Sequence, residues 1–112
     1  MTRRDDERLE DVTEALVAIK GHLQRGSLSD GLVFDAVRVR LIEIGEAVKG
    51  IGPEILALEP AISWEDIAGM RDRLAHRYFD PSHAIVQATV DHDLPTLEAA
   101  VERLRLRVSH ES

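Results

Sequence analysis

Between Met70 and Asp80 the chain reads Met70-Arg71-Asp72-Arg73-Leu74-Ala75-His76-Arg77-Tyr78-Phe79-Asp80, three arginines, a histidine and a tyrosine within a chain of formal charge −7. An arginine presents a planar fork of N–H donors that matches a phosphate, and a histidine exchanges a proton near neutral pH. Metal-free cleavage of an RNA phosphodiester needs those two abilities. The ribose 2′-hydroxyl attacks the adjacent phosphate, so a site must accept a proton and stabilise the added charge. Arg71 is the candidate phosphate binder and His76 the candidate for proton transfer, with a 2′,3′-cyclic phosphate and a 5′-hydroxyl as products. Asp72 stands four residues before His76. On a helix the two side chains can meet, and the carboxylate would fix the imidazole tautomer and raise its pKa. Arg73 and Arg77 are read with equal weight as flanking phosphate contacts or as solvated charges. On spacing alone, the commoner outcome for such residues is an Asp–His surface contact with the arginine in solvent.

Geometry limits what one chain can do with this segment. Residues five apart on a regular helix are separated by roughly 140° around the axis and about 7.5 Å along it, so Arg71 and His76 of one helix do not point at one spot. Two arrangements satisfy the chemistry. The helix ends or distorts near His76, helped by Asp80-Pro81, or the site is composite, with Arg71 and His76 supplied by two subunits across a two-fold axis.

The remaining sequence supplies helices to hold this segment. A first helix is expected from Asp5 to Arg25, with Leu9, Val12, Leu16, Ile19 and Leu23 forming a seam at steps of three and four. Gly26 ends it, and Ser27-Leu28-Ser29-Asp30 offers N-cap oxygens for a second helix. That helix buries Phe34, Val37, Leu41, Ile44, Val48 and Ile51, and stops at Gly52-Pro53. Within it, Gly45 permits close helix approach, and Glu46 is placed to pair with an arginine of the 71–77 segment. Residues 53–62 read as a short helical turn and connector. Ser63 caps a third helix that starts at Trp64 and buries Ile67, Met70 and Leu74, reaching Tyr78. Asp80-Pro81 restarts the chain into a fourth helix with Ile85, Val86 and Val90. Pro95 either sits in the first turn of a fifth helix or kinks a continuous one, and the last seam is Leu94, Leu97, Val101, Leu104 and Val108. No segment alternates like a half-buried strand. The fold class is all-α, an antiparallel bundle of four to five helices, in one domain spanning 1–112.

Composition narrows the function classes. With 112 residues, 44 % apolar and 31 % charged, the chain suits helices with one buried stripe each, and a domain this small gains from dimerising. There is no cysteine, which excludes disulfides and thiolate metal sites. No Glu-x-x-His pair, glycine-rich phosphate loop or His-Glu-x-x-His helix is present, so neither a metal nor a cofactor is expected. No apolar run approaches a membrane span, and the N-terminus lacks the apolar stretch of a signal peptide, so the expected location is the cytoplasm. The acidic balance argues against broad nucleic-acid binding. Residues 71–80, with three arginines against two aspartates, are the net-positive stretch where RNA would bind.

The residues quoted above also carry a family resemblance. Arg71, four residues, His76, one residue and Tyr78 are similar to the Arg-x4-His-x-Tyr signature of the HepT-like toxins of the HEPN superfamily. Arg3-Arg4-Asp5 through Leu9 resembles that family's N-terminal opening, and Ile44-Gly45-Glu46-Ala47 its second-helix element. Trp64-Glu65-Asp66-Ile67 and Asp93-Leu94-Pro95 resemble the leads into its motif and last helix. The resemblance implies a HEPN-like helical bundle, a homodimer, and a metal-independent endoribonuclease with Arg71 and His76 in a composite site at the dimer interface. It also implies a cognate partner, an MntA-type nucleotidyltransferase antitoxin that transfers AMP from ATP to Tyr78. Read without the resemblance, Tyr78 is a half-buried ring anchoring a helix end with its hydroxyl in water. Two other classes stand beside the nuclease: a non-catalytic helical adaptor that binds and modulates a nucleotidyltransferase, and a plain structural oligomer.

Overall fold

A computed structural model describes residues 3–75 and 81–111, all of its regular structure helical among those residues. Helix α1 spans Arg3–Arg25, α2 Gly31–Lys49, α3 Pro53–Leu56, α4 Trp64–Ala75, α5 Pro81–Ala88 and α6 Leu94–Glu111, with a π-helical turn over Thr89–Asp93. His76, Arg77 and Tyr78 lie outside the described residues, as does the expected restart at Asp80. None of the helices in the described residues is long and apolar enough to cross a membrane.

Helix α2 is the centre of the bundle, packed against α1 on one side and α4 on the other, while α6 covers α1. The seams read from the sequence supply the core. Leu9, Val12 and Ile19 of α1, Val37, Leu41 and Ile44 of α2, Leu74 of α4, and Leu97 and Leu104 of α6 are each at most 1 % exposed. Leu23, Phe34, Ile85 and Val90, at the ends of their seams, are partly buried.

The helix ends follow the sequence signals at α1 and fall short of them at α2. No described glycine has a positive φ, but α1 does end at Arg25, immediately before Gly26. Its lack of a side chain also serves packing, since a Cβ there would meet Val33 Cγ2 at 3.2 Å. The cap that matters is Asp30, whose Oδ1 accepts a hydrogen bond from Leu32 N at 2.9 Å. At the other end α2 stops at Lys49, and Ile51 is buried in a tighter turn, with its N–H donating to Val48 O at 3.1 Å. Gly52 N donates to Asp5 Oδ1 at 2.9 Å, tying the start of α1 to the end of α2.

Two features fix the flanks of α4. The Trp64 indole Nε1 donates to Leu56 O at 2.9 Å and Glu59 O at 3.1 Å, fastening the connector to the first turn of α4. Arg103 on α6 then clasps Glu59, with Nη2 2.6 Å from Oε1. Pro95 belongs to a continuous helix rather than a new one. Proline cannot donate to the carbonyl four residues back and its ring crowds that carbonyl, so the preceding turn widens. Leu94 N accordingly bonds to Thr89 O, five residues earlier.

Helices α2 and α4 approach closely at Gly45. A Cβ built on Gly45 would lie 2.9 Å from Arg71 N and 3.0 Å from Ile67 O, both backbone atoms that cannot swing aside. Gly45→Ala should therefore destabilise the fold by about 1–3 kcal/mol, the usual cost of overpacking. Gly21→Ala, at a position in α1 where nothing lies within 4 Å, should stabilise it by up to ~1 kcal/mol through helix propensity. Urea unfolding of the two variants checks this. Equal or greater stability of Gly45→Ala than wild type would contradict the close helix contact.

Candidate active site

Arg71 is positioned by backbone rather than by a long side-chain path. Because Gly45 has no Cβ, α2 comes hard against α4 at Ile67 and Arg71, and buried Ile67, Met70 and Leu74 lock the inner face of α4. The Arg71 side chain leaves this contact into solvent, 48 % exposed. Its Nε lies 3.3 Å from Glu46 Oε2 on α2, and its Nη1 donates to Asp72 Oδ1 at 3.0 Å. Lys49, one helical turn beyond Gly45, completes the row with its Nζ 3.4 Å from Asp72 Oδ2. Glu46, Arg71, Asp72 and Lys49 thus form a chain of alternating charge across the α2–α4 seam.

Such exposed pairs add little stability, because water screens them and long side chains lose freedom in forming them. Their consequence is orientation. Glu46 and Asp72 hold the guanidinium from two sides and bind its proton more firmly, the Asp72 hydrogen bond first and the Glu46 charge second. An arginine has five N–H donors, and in the described residues one is committed to a hydrogen bond. Apart from the Nε–H that faces Glu46, the others make no hydrogen bond among the described residues.

The remaining sequence-predicted residues are placed as follows. Asp72 is exposed and engaged by Arg71 and Lys49; its expected partner His76 is outside the described residues. Arg73 does not converge with Arg71. Two residues along a helix turn it roughly 200° away, and its Nη2 donates back along α4 to Asp66 O at 2.9 Å. Arg77 and Tyr78 lie outside the described residues. Gly45 and Glu46 behave as expected from sequence, one permitting helix approach and the other pairing with Arg71. Lys49 was not singled out by sequence reasoning. Its position on the face of α2 shared with Gly45 was the available signal.

With this geometry in view, the comparisons with known proteins are specific. Residues 7–104 match the ribonuclease HepT-like family, and the chain belongs to that family. It is 35 % identical over 109 residues to a protein of Thermococcus cleftensis named "Probable ribonuclease HepT", covering 94 % of this chain and 99 % of that one. A "Putative RNase" of Caldanaerobacter subterraneus subsp. tengcongensis is 40 % identical over 67 residues, 59 % of this chain and 60 % of that protein. Another of Methanocaldococcus jannaschii is 39 % identical over 67 residues, 59 % of this chain and 55 % of that protein. No solved structure matches the chain.

The charge row has a measurable signature. The Arg71 hydrogen bond, then the Lys49 charge and hydrogen bond, hold the Asp72 carboxyl below its ordinary range. A carboxyl depressed in the folded state stabilises the fold above the unfolded pKa of about 3.9, and that contribution is lost as pH falls through the lower folded value. Carboxyl NMR should show Asp72 titrating below an ordinary aspartate. Arg71→Ala and Lys49→Met should each move its midpoint up. An unshifted Asp72 in the wild-type protein would contradict the pairing.

Proposed function

We propose that this chain is the toxin component of a toxin–antitoxin pair and a metal-independent endoribonuclease. The observation that carries this reading is Arg71: an exposed guanidinium, anchored at a backbone-to-backbone helix contact and held between two carboxylates, within a ribonuclease HepT-like chain. Arg71 would bind the scissile phosphate and stabilise its added charge. His76 would handle the protons. The 2′-hydroxyl loses its proton as its oxygen bonds phosphorus, the bond to the 5′-oxygen breaks, and that oxygen takes up a proton. The products are a 2′,3′-cyclic phosphate and a 5′-hydroxyl. The ribonuclease names of the relatives support RNA as the substrate.

The site is composite in this proposal. Arg71 of one subunit of a homodimer works with His76 of the other, since residues five apart on a regular helix would point apart. Control is exerted by a cognate MntA-like nucleotidyltransferase antitoxin in the cytoplasm. The Tyr78 oxygen attacks the α-phosphorus of ATP, pyrophosphate leaves, and the phenol loses its proton. The AMP group so attached brings bulk and a negative phosphodiester to a segment that carries Arg71 and Arg77, where it competes with RNA for the same donors. Asp72, Arg73 and Arg77 support the site, with Asp72 orienting Arg71 and the two other arginines adding positive charge.

Arg71→Ala and His76→Ala should each reduce cleavage of total RNA in EDTA by about 10²-fold or more while leaving a folded helical protein. Wild-type cleavage by either variant would remove the assignment. Tyr78→Phe should retain nuclease activity and escape neutralisation when co-produced with the antitoxin. Intact-mass spectra decide the chemistry: an unmodified Tyr78 in a fully neutralised complex would mean inhibition by binding alone, as an adaptor-like surface would give.

A further inference from the structure

Three described residues with polar or charged side chains are buried: Asp5, Arg38 and Thr89. Asp5 accepts from Gly52 N, and the Thr89 hydroxyl donates to Ile85 O. Arg38 is 8 % exposed, and among the described residues it has neither an ion pair nor a hydrogen bond. None of the buried nitrogens is sealed from water without a partner. The Arg38 guanidinium therefore touches water at the end of a buried stem. No carboxylate of the described residues pairs with it, so its stem is buried while its charge stays in water.

Its location points to a use for that free charge. Arg38 stands seven residues before Gly45, two helical turns, which puts it on the same face of α2 and about 10.5 Å along the axis. Gly45 is the residue that abuts the Arg71 backbone. On the other side, four residues before Arg38, Phe34 stacks on His83 of α5 with ring centroids 4.9 Å apart and planes within 8°. Arg38 thus lies on α2 between the anchor of Arg71 and the contact with α5. A guanidinium that reaches water and has no anionic partner among the described residues is suited to an incoming phosphate, which supplies a counter-charge and accepts several of its donors.

We propose that Arg38 is a second phosphate-binding residue, taking a backbone phosphate of single-stranded RNA next to the one held by Arg71. This rests on the ribonuclease reading above. Arg38 binds substrate and takes no part in bond breaking. Direct binding and catalysis therefore report on it separately.

The test uses the full chain and a 2′-O-methylated RNA oligonucleotide, which has no attacking hydroxyl and is not cleaved. Arg38→Met, which keeps the apolar stem, should weaken binding about tenfold and reduce the slope of log K against log salt by about 0.7, the value for one phosphate contact on a single strand. Arg38→Lys should keep most of that slope. With cleavable RNA the loss should fall on KM rather than on kcat. Wild-type affinity and slope in Arg38→Met overturn the proposal. So does weakened dimerisation with unchanged RNA affinity, which would give Arg38 a carboxylate of a second copy as its partner. If wild-type protein binds the oligonucleotide through Arg38 yet cleaves no RNA, the subsite stands and the ribonuclease reading falls. Should Arg38→Met fail to fold, the wild-type Arg38 Nε–H resonance titrated with inorganic phosphate decides it. A saturable shift supports the subsite and an unmoved resonance overturns it.

Discussion

The backbone contact at Gly45 is the constraint on which the site depends. Helices usually pack with side chains between them, and their axes stay 8–10 Å apart. At Gly45 the missing side chain lets α2 meet the backbone of α4 at Ile67 and Arg71 directly. That contact sets where the Arg71 side chain leaves α4. It also brings Glu46 and Lys49, on neighbouring turns of α2, within reach of Arg71 and Asp72. The rest of the bundle serves this seam. α1 and α6 bury the opposite side of the core, and the Trp64 and Glu59 contacts hold the connector that feeds α4.

Charge is arranged along the same seam. An acidic chain would repel an RNA backbone if its positive groups were scattered, and long-range attraction is screened beyond about 8–10 Å at physiological salt. The α2–α4 surface instead alternates sign over a few ångströms. Arg71 keeps its own counter-charges, and in the proposed function a phosphate would compete with them for its donors. Selectivity for a phosphate would then come from geometry, since a bidentate oxyanion fits the fork better than a single displaced carboxylate oxygen. Arg38 differs in kind: its stem is buried and it has no anionic partner among the described residues.

Much of this was legible in the sequence because periodicity and punctuation are local. The seams Leu9 to Ile19, Val37 to Ile51, Ile67 to Leu74 and Leu94 to Leu104 follow helical spacing, and they form the observed core. Gly45-Glu46 was readable as a close-approach glycine beside a pairing carboxylate. Other features depend on which neighbour arrives. Arg73 has the same chemistry as Arg71, but its place on the helix turns it back to the Asp66 carbonyl. Lys49 and Arg38 look like ordinary solvated charges until the α2 face packed on α4 is known. Pro95 left two possibilities open, and the π turn at Thr89–Asp93 chose the continuous helix. Gly26 ends α1 as its turn signal indicates, and it also relieves crowding at Val33 without a left-handed backbone.

The proposed site joins Arg71 of one subunit to His76 of its partner, and subunit mixing tests that join most directly. Arg71→Ala and His76→Ala proteins, each inactive alone, are mixed in equal amounts and allowed to exchange subunits. In a composite site, one of the two sites of each mixed dimer regains both intact residues. About half of the dimers are mixed and each has one working site, so RNA cleavage should return to about one quarter of the wild-type rate. If Arg71 and His76 act within one chain, every mixed dimer lacks a complete site. No recovery of cleavage, with subunit exchange shown by native mass spectrometry, would contradict the composite site.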